Sequence, residues 1–251
     1  MRRLLARENV ELLAQLAWSR VLCAFDFDGT LAPIVTDRER AVMRARTARL
    51  FARVCEHYPC AVISGRGRAD VAARLGRAPV KYVIGNHGLE PGAELGAFER
   101  KIARARALLA AALAGVPGVD IEDKRYTLAV HYRRARQKRA ARAAIASAVA
   151  ALPVRMRFVG GKLVVNVLPE RAPNKGSALV RLRALEGAST ALYVGDDVTD
   201  EDVFALDQPG RLFTVRVGAS RSSAARYYLR DQSEVDALLA KLVELRARGP
   251  R

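Results

Sequence analysis

Asp26 and Asp28 stand two residues apart in the segment Asp26-Phe27-Asp28-Gly29-Thr30-Leu31, directly after the apolar run Val21 to Phe25. Residues i and i+2 of an extended chain point to the same side, so both carboxylates can face one reactant. Gly29 allows a sharp turn just past the strand end. Two carboxylates held this close favour a divalent cation, or else a split in pKa that leaves one of them protonated. A nucleophile working beside a general acid needs that split. Three more apolar runs end in polar clusters: Cys60 to Ile63 in Ser64-Gly65-Arg66, Tyr82 to Ile84 in Gly85-Asn86-His87-Gly88, and Ala191 to Val194 in Gly195-Asp196-Asp197. Taken one at a time these residues have plainer uses. Ser64 could cap a helix beginning at Arg66, and Asp200 and Glu201 could be first-turn acids facing a helix dipole.

The elements that must position these groups follow from the same runs. Short apolar stretches without alternation suit parallel strands covered on both faces. Helical patterns, such as Thr47 to Tyr58 and Gly176 to Glu186, lie between them. The expected fold is α/β: a doubly wound, Rossmann-like parallel sheet whose ligands bind beyond the carboxyl ends of the strands, where all four clusters converge. The rhythm breaks in the middle of the chain. A helix over Phe98 to Ala114, strand-like alternation over Tyr126 to Tyr132, a helix over Arg139 to Leu152, and a hairpin over Met156 to Leu168 turning at Gly160-Gly161 predict a smaller inserted α+β domain. Boundaries at Pro91-Gly92 and Pro169 to Pro173 give a core of residues 1–90 and 170–251 and an insert of residues 91–169.

The chain of 251 residues is 51% hydrophobic and 27% charged, a composition of soluble globular proteins. It has no apolar run of membrane-spanning length. Met1 to Arg20 reads as an amphipathic helix rather than a signal peptide, which predicts a cytoplasmic protein without membrane contact. Three cysteines, Cys23, Cys55 and Cys60, without CxxC spacing, are expected to be reduced. The net charge of +17 raises the possibility of nucleic-acid binding, but the arginines are spread along alanine-rich helices without interleaved aromatics. No nucleic-acid partner is therefore expected. Oligomeric state is not legible.

Joined with Asn174-Lys175-Gly176 and with Asp200 at the end of the last acidic cluster, these motifs resemble the haloacid dehalogenase superfamily of phosphohydrolases. The resemblance implies that Asp26 attacks phosphorus and Asp28 acts as general acid and base. It also implies that Ser64 binds a phosphoryl oxygen and that Lys175 offsets the charge of phosphorylated Asp26. Magnesium would be held by Asp26, the backbone carbonyl of Asp28, and Asp196, with Asp200 or Asp197 assisting. Within that superfamily, Gly85 to Glu90, Ile121 to Lys124, His131-Tyr132-Arg133 and Gly195 to Phe204 resemble the trehalose-6-phosphate phosphatase family. That resemblance implies an insert closing as a cap over a sugar phosphate. Gly65, Arg66, Asn86, His87, Glu122, Lys124, His131 and Arg133 would then be substrate contacts, the plainer alternatives being a solvated charge run at Glu122 to Arg125 and a structural histidine at His131. The family has a glutamate where this chain has Asn166, in Val165-Asn166-Val167-Leu168-Pro169. A phosphatase for another sugar phosphate and a phosphomutase are the neighbouring alternatives.

Overall fold

The run Val21–Phe25 is buried along its whole length, with Val21, Cys23 and Phe25 packing to one side and Leu22 and Ala24 to the other. A strand covered on both faces has no use for polar alternation. The computed structural model describes residues 1–249 except 93, 162 and 207. Its elements are β1 (Arg2–Arg3), α1 (Val10–Trp18), β2 (Val21–Phe25), α2 (Ala45–His57), β3 (Cys60–Ile63), α3 (Arg68–Leu75), β4 (Tyr82–Ile84) and α4 (Leu95–Leu113). There follow β5 (Asp120–Asp123), β6 (Leu128–His131), α5 (Lys138–Ala150), β7 (Met156–Gly161), β8 (Val164–Pro169) and α6 (Lys175–Leu185). The chain ends with β9 (Thr190–Gly195), α7 (Glu201–Phe204), β10 (Leu212–Val217), β11 (Tyr227–Leu229) and α8 (Gln232–Ala247).

Seven parallel strands form one sheet in the order β1-β11-β10-β9-β2-β3-β4. Helices α1, α2 and α8 bury Leu13, Phe51, Val54, Leu238 and Leu242 on one face, and α6 and α7 bury Leu179, Leu182 and Phe204 on the other. This is the doubly wound α/β arrangement the sequence predicts. The central strands β2 and β9 are register partners, Phe25 opposite Val194, so Asp26 and the acidic turn after Gly195 leave the sheet side by side.

Between β4 and β9 in sequence lies a second sheet, antiparallel, in the order β5-β6-β8-β7. Helices α4 and α5 cover it through Ile102, Leu109 and Ile145. A small cluster of Leu89, Phe98, Tyr126, Leu168 and Ala172 lies where the chain passes between the two sheets.

Three local expectations are corrected. The N-terminal helix begins only at Val10, because Arg2–Arg3 extends the sheet beside β11. The hairpin does not reverse at Gly160-Gly161: these residues stay in β7, paired with Val165 and Val164, and Leu163 takes up a positive φ of 63°. The charge run at Glu122 is a strand, β5. Cys23, Cys55 and Cys60 are free thiols. No helix among the described residues is long and apolar enough to cross a membrane.

Candidate active site

The floor of the site is built at the ends of β2 and β9 and the start of α6. Asn174 caps α6, its side chain accepting from Ser177 N–H at 2.8 Å, which fixes Lys175 as the first helical residue. A cation there opposes the helix dipole, and Lys175 is also only 1% exposed. Two carboxylates compensate: its ammonium donates to Asp26 Oδ1 at 2.9 Å and to Asp200 Oδ1 at 2.7 Å. Asp200 is wholly buried and accepts from four donors, the others being Tyr193 O–H at 2.6 Å and the backbone N–H groups of Asp196 and Asp197 at 2.8 and 2.9 Å. It thereby ties Lys175 to the turn that presents Asp196.

Electrostatically this floor is unbalanced toward acid. Burial, against the pull of Lys175, pushes the Asp26 carboxyl up to about 7. Burial and then the nearby Asp26 and Asp200 push Asp196 up to about 9. Burial disfavours the Lys175 ammonium too, yet Asp200 and Asp26 more than offset it and hold the charge. Oxygens of Asp26, Asp196 and Asp200 lie within 4.8 Å of one another. Asp196 Oδ1 is buried with no hydrogen-bond partner among the described residues. An all-oxygen cluster with an orphaned carboxylate oxygen fits a hard divalent cation, which would offset the burial that chiefly raises both carboxyls and the repulsion that adds to it.

Asp28 lies one turn further on. Arg66 grips its carboxylate in a two-pronged pair, Nε to Oδ2 at 2.7 Å and Nη2 to Oδ1 at 2.8 Å. Two more guanidinium donors go to Asp70 at 2.8 Å and to the Arg38 carbonyl at 2.7 Å. Ser64 does not cap a helix at Arg66, since α3 starts at Arg68; its Oγ accepts from Arg66 N–H at 3.1 Å in a local turn. The neighbouring turn after β4 carries consecutive positive φ values at Asn86, His87 and Gly88 (49°, 59° and 116°). Such strain persists only where the surroundings enforce it. Here Asn86 N–H donates to Arg66 O and His87 N–H to Ser64 O, at 2.7 and 2.9 Å. The turn drives the His87 ring against Gly65, where an added Cβ would lie 2.5 Å from the ring. Both His87 ring nitrogens are buried without partners among the described residues, and burial, with Lys124 nearby, holds the ring neutral.

The second sheet supplies the other wall. Glu122 on β5 and His131 on β6 meet at 2.9 Å, and Arg38 from the core contacts both. Lys124 Nζ reaches across to the Gly65 carbonyl at 3.0 Å. Burial, then Arg38, bring Lys124 down to about 8 and His131 down to about 4. One cleft of about 900 Å³ is lined by Asp26, Asp28, Gly65, Arg66, His87, Glu122, Lys124, His131, Arg133, Asn166, Lys175 and Asp196. Ser64, Asn86 and Asp200 stand behind this lining. Asn86 joins the two sheets, donating to Glu90 and the Lys124 carbonyl and accepting from Thr127. Asp197 also faces the cleft, whereas Glu201 is tied to Arg216 and Ala224 N–H. Arg38, Tyr193 and Arg216 are members of the site that sequence inspection missed. Tyr193 was readable only as one more apolar strand residue, and Arg38 lies in the undistinguished run Asp37-Arg38-Glu39-Arg40.

A doubly wound parallel sheet with an acid-rich floor at its strand ends, faced by an inserted α+β unit, defines the class as the haloacid dehalogenase fold. Residues 24–233 match the family model described as trehalose-phosphatase, and the chain belongs to that family. It is 33% identical over 245 residues to a trehalose-phosphate phosphatase of Mycobacterium avium, covering 90% of this chain and 62% of that protein. The chain thus spans about three fifths of that relative's length. Among solved structures it resembles the trehalose-6-phosphate phosphatase of Aspergillus fumigatus (27% identity, TM-score 0.64, 97% of this chain and 99% of that one). It shares its fold with the C-terminal domain of the Candida albicans trehalose-6-phosphate phosphatase (24% identity, TM-score 0.80, 94% and 98% covered).

Proposed function

We propose that this chain hydrolyses trehalose 6-phosphate to trehalose and phosphate through an aspartyl phosphate on Asp26, in the cytoplasm and with Mg2+ as cofactor. The observation that carries the reading is the buried Asp26–Lys175–Asp200 assembly with the orphaned Asp196 oxygen, set on the floor of a cleft walled by Glu122 and Lys124. Residues 1–90 and 170–251 form the catalytic core and residues 91–169 the cap.

An Asp26 carboxylate oxygen attacks phosphorus, the P–O bond to the sugar breaks, and Asp28, protonated once its carboxyl has left the Arg66 pair, gives its proton to the departing sugar oxygen. Asp28 then takes a proton from water as the water oxygen attacks phosphorus and the P–O bond to Asp26 breaks, returning both groups to their starting states. Arg66, four of whose five N–H donors go to Asp28, Asp70 and the Arg38 carbonyl, holds the ionised form of Asp28 in place. Lys175 stays charged beside Asp26 and meets the negative charge that accumulates there. Asp26 and Asp196, with the backbone carbonyl of Asp28, would hold the cation, and Asp200, the third acid of the cluster, would assist while its four donors fix the arrangement. When bound, the cation neutralises charge between carboxylate and phosphate. His87, held neutral by burial with Asn166 beside it, offers its ring nitrogens to the substrate, while Glu122, Lys124, His131, Arg133 and Asn166 contact sugar hydroxyls. Asn166 in place of an acid favours one second reading, the same chemistry on a different sugar phosphate.

Phosphate release from trehalose 6-phosphate, glucose 6-phosphate, sucrose 6-phosphate and an aryl phosphate separates the two. Preference for trehalose 6-phosphate, lost in Asp26→Asn, is the expected result. Turnover of the aryl phosphate alone would keep the mechanism and reopen the substrate. Independently of turnover, millimolar Mg2+ should raise the melting temperature of the parent chain and not of Asp196→Asn, because a ligand bound only to the folded state stabilises it. An equal rise in both removes Asp196 from the metal site.

A further inference from the structure

The segment between β2 and α2 belongs to the core, yet one of its side chains grips the second sheet. Arg38 pairs with Glu122 of β5, and its Nη1 lies 3.0 Å from His131 Nε2 of β6. The segment is itself held firmly. Arg66 donates to the Arg38 carbonyl at 2.7 Å, and Arg74 donates to the carbonyls of Glu39 and Ala41 at 2.8 and 2.9 Å. Asp70 braces both arginines, accepting from each at 2.8 Å. These bonds fix the backbone that carries Arg38. With the Glu122 side chain 18% exposed and that of Arg38 43%, the pair lies between an open surface bridge and a buried one.

The trio is also incompletely matched. His131 Nε2 faces Glu122 Oε2 at 2.9 Å and Arg38 at 3.0 Å, and in a neutral imidazole that nitrogen either donates or accepts. It can satisfy the carboxylate or the guanidinium, not both, whereas a hydroxyl group both donates and accepts. The three side chains line the cleft with both donors and acceptors.

We propose that Arg38 is a positioning residue, a clamp borne by the core that holds the second sheet over the cleft and fixes Glu122 and His131 for a sugar hydroxyl. The sugar part of this inference rests on the function proposed above; the clamp does not. Its test is hydrogen–deuterium exchange on the full chain without substrate, beside steady-state kinetics with trehalose 6-phosphate. Arg38→Ala should speed exchange severalfold in residues 120–131 and raise KM about tenfold with kcat changed less than about threefold. Arg38→Lys, keeping the charge but not the fork, should recover part of the KM. Arg74→Ala, outside the cleft, frees the same segment and should speed exchange in the same residues. A raised KM with exchange unmoved in both variants would mean that Arg38 touches sugar only, and would overturn the clamp. An unchanged KM with faster exchange would overturn the positioning of Glu122. If the parent chain does not turn over trehalose 6-phosphate, the proposed function fails, while the exchange measurement still decides the clamp.

Discussion

A carboxylate that accepts four hydrogen bonds has no oxygen to spare, and at Asp200 every donor matters to the site. Lys175 and Tyr193 share one oxygen, and the backbone N–H groups of Asp196 and Asp197 share the other. Asp200→Asn turns one of these oxygens into a donor. Whichever way the amide faces, two donors meet it head on, and Lys175 loses a counter-charge in a buried setting. Breaking a buried ion pair costs about 3–5 kcal/mol, whereas Tyr193→Phe removes one hydrogen bond to the carboxylate and costs about 1.5–3 kcal/mol. Urea unfolding of both variants checks this. If Asp200→Asn is as stable as Tyr193→Phe, Asp200 does not hold the floor together. The two residues also show what a sequence discloses. Asp200 is legible because it ends an acidic motif after a strand, but its use as an acceptor hub depends on Tyr193, whose hydroxyl is invisible among the apolar residues of β9. Arg38 is harder still: nothing in a charged loop distinguishes the arginine that reaches another sheet from those that reach water.

Elements place these residues through turns that tolerate no side chain. Gly29 follows β2 with φ at 83°, and a Cβ added there would lie 2.1 Å from Asp196 Oδ2. Gly187, beyond the end of α6, also has a positive φ (63°), but a Cβ would meet nothing within 4 Å. The comparison separates backbone strain from displacement of the site. Each Gly→Ala change imposes strain of about 1–3 kcal/mol. Gly187→Ala should show only that loss of stability, with phosphate release retained; Gly29→Ala should in addition abolish release from an aryl phosphate even where it is fully folded. Retained release in folded Gly29→Ala would show that the acidic turn shifts freely. Turns of this kind were readable after β2, β3, β4 and β9 because apolar strands run straight into them. The second sheet was less so. β5 is an exposed edge strand of Asp-Ile-Glu-Asp whose charges read as loop, and the β7–β8 hairpin keeps both glycines in the ladder, so the residues that usually signal a tight reversal mark the wrong place. Pairing across strands, which no local pattern contains, decides both.

At the scale of the whole molecule the charge of +17 and the cleft tell different stories. The cleft is lined by acids as well as bases, with Asp26, Asp28, Glu122, Asp196 and Asp197 among them, so the excess of cations lies elsewhere. Much of it is on solvent-facing positions of α4 and α5, including Arg100, Arg104, Arg139 and Arg142. Charges at that remove cannot bond a substrate in the cleft, but their summed field attracts an anion toward the molecule, over a range of roughly 10 Å at 0.1 M salt. Steering of this kind alters encounter and leaves the bound state alone. For a sugar phosphate, kcat/KM should therefore fall severalfold between about 20 and 200 mM salt while kcat holds steady. Arg100→Glu combined with Arg104→Glu, two exposed changes on α4, should flatten that dependence without altering kcat. A kcat/KM indifferent to salt would mean that the substrate does not feel the surface charge, and the arginines of α4 and α5 would have no part in capture. A fall in kcat itself would point instead to salt acting inside the cleft, on pairs such as Arg66 with Asp28.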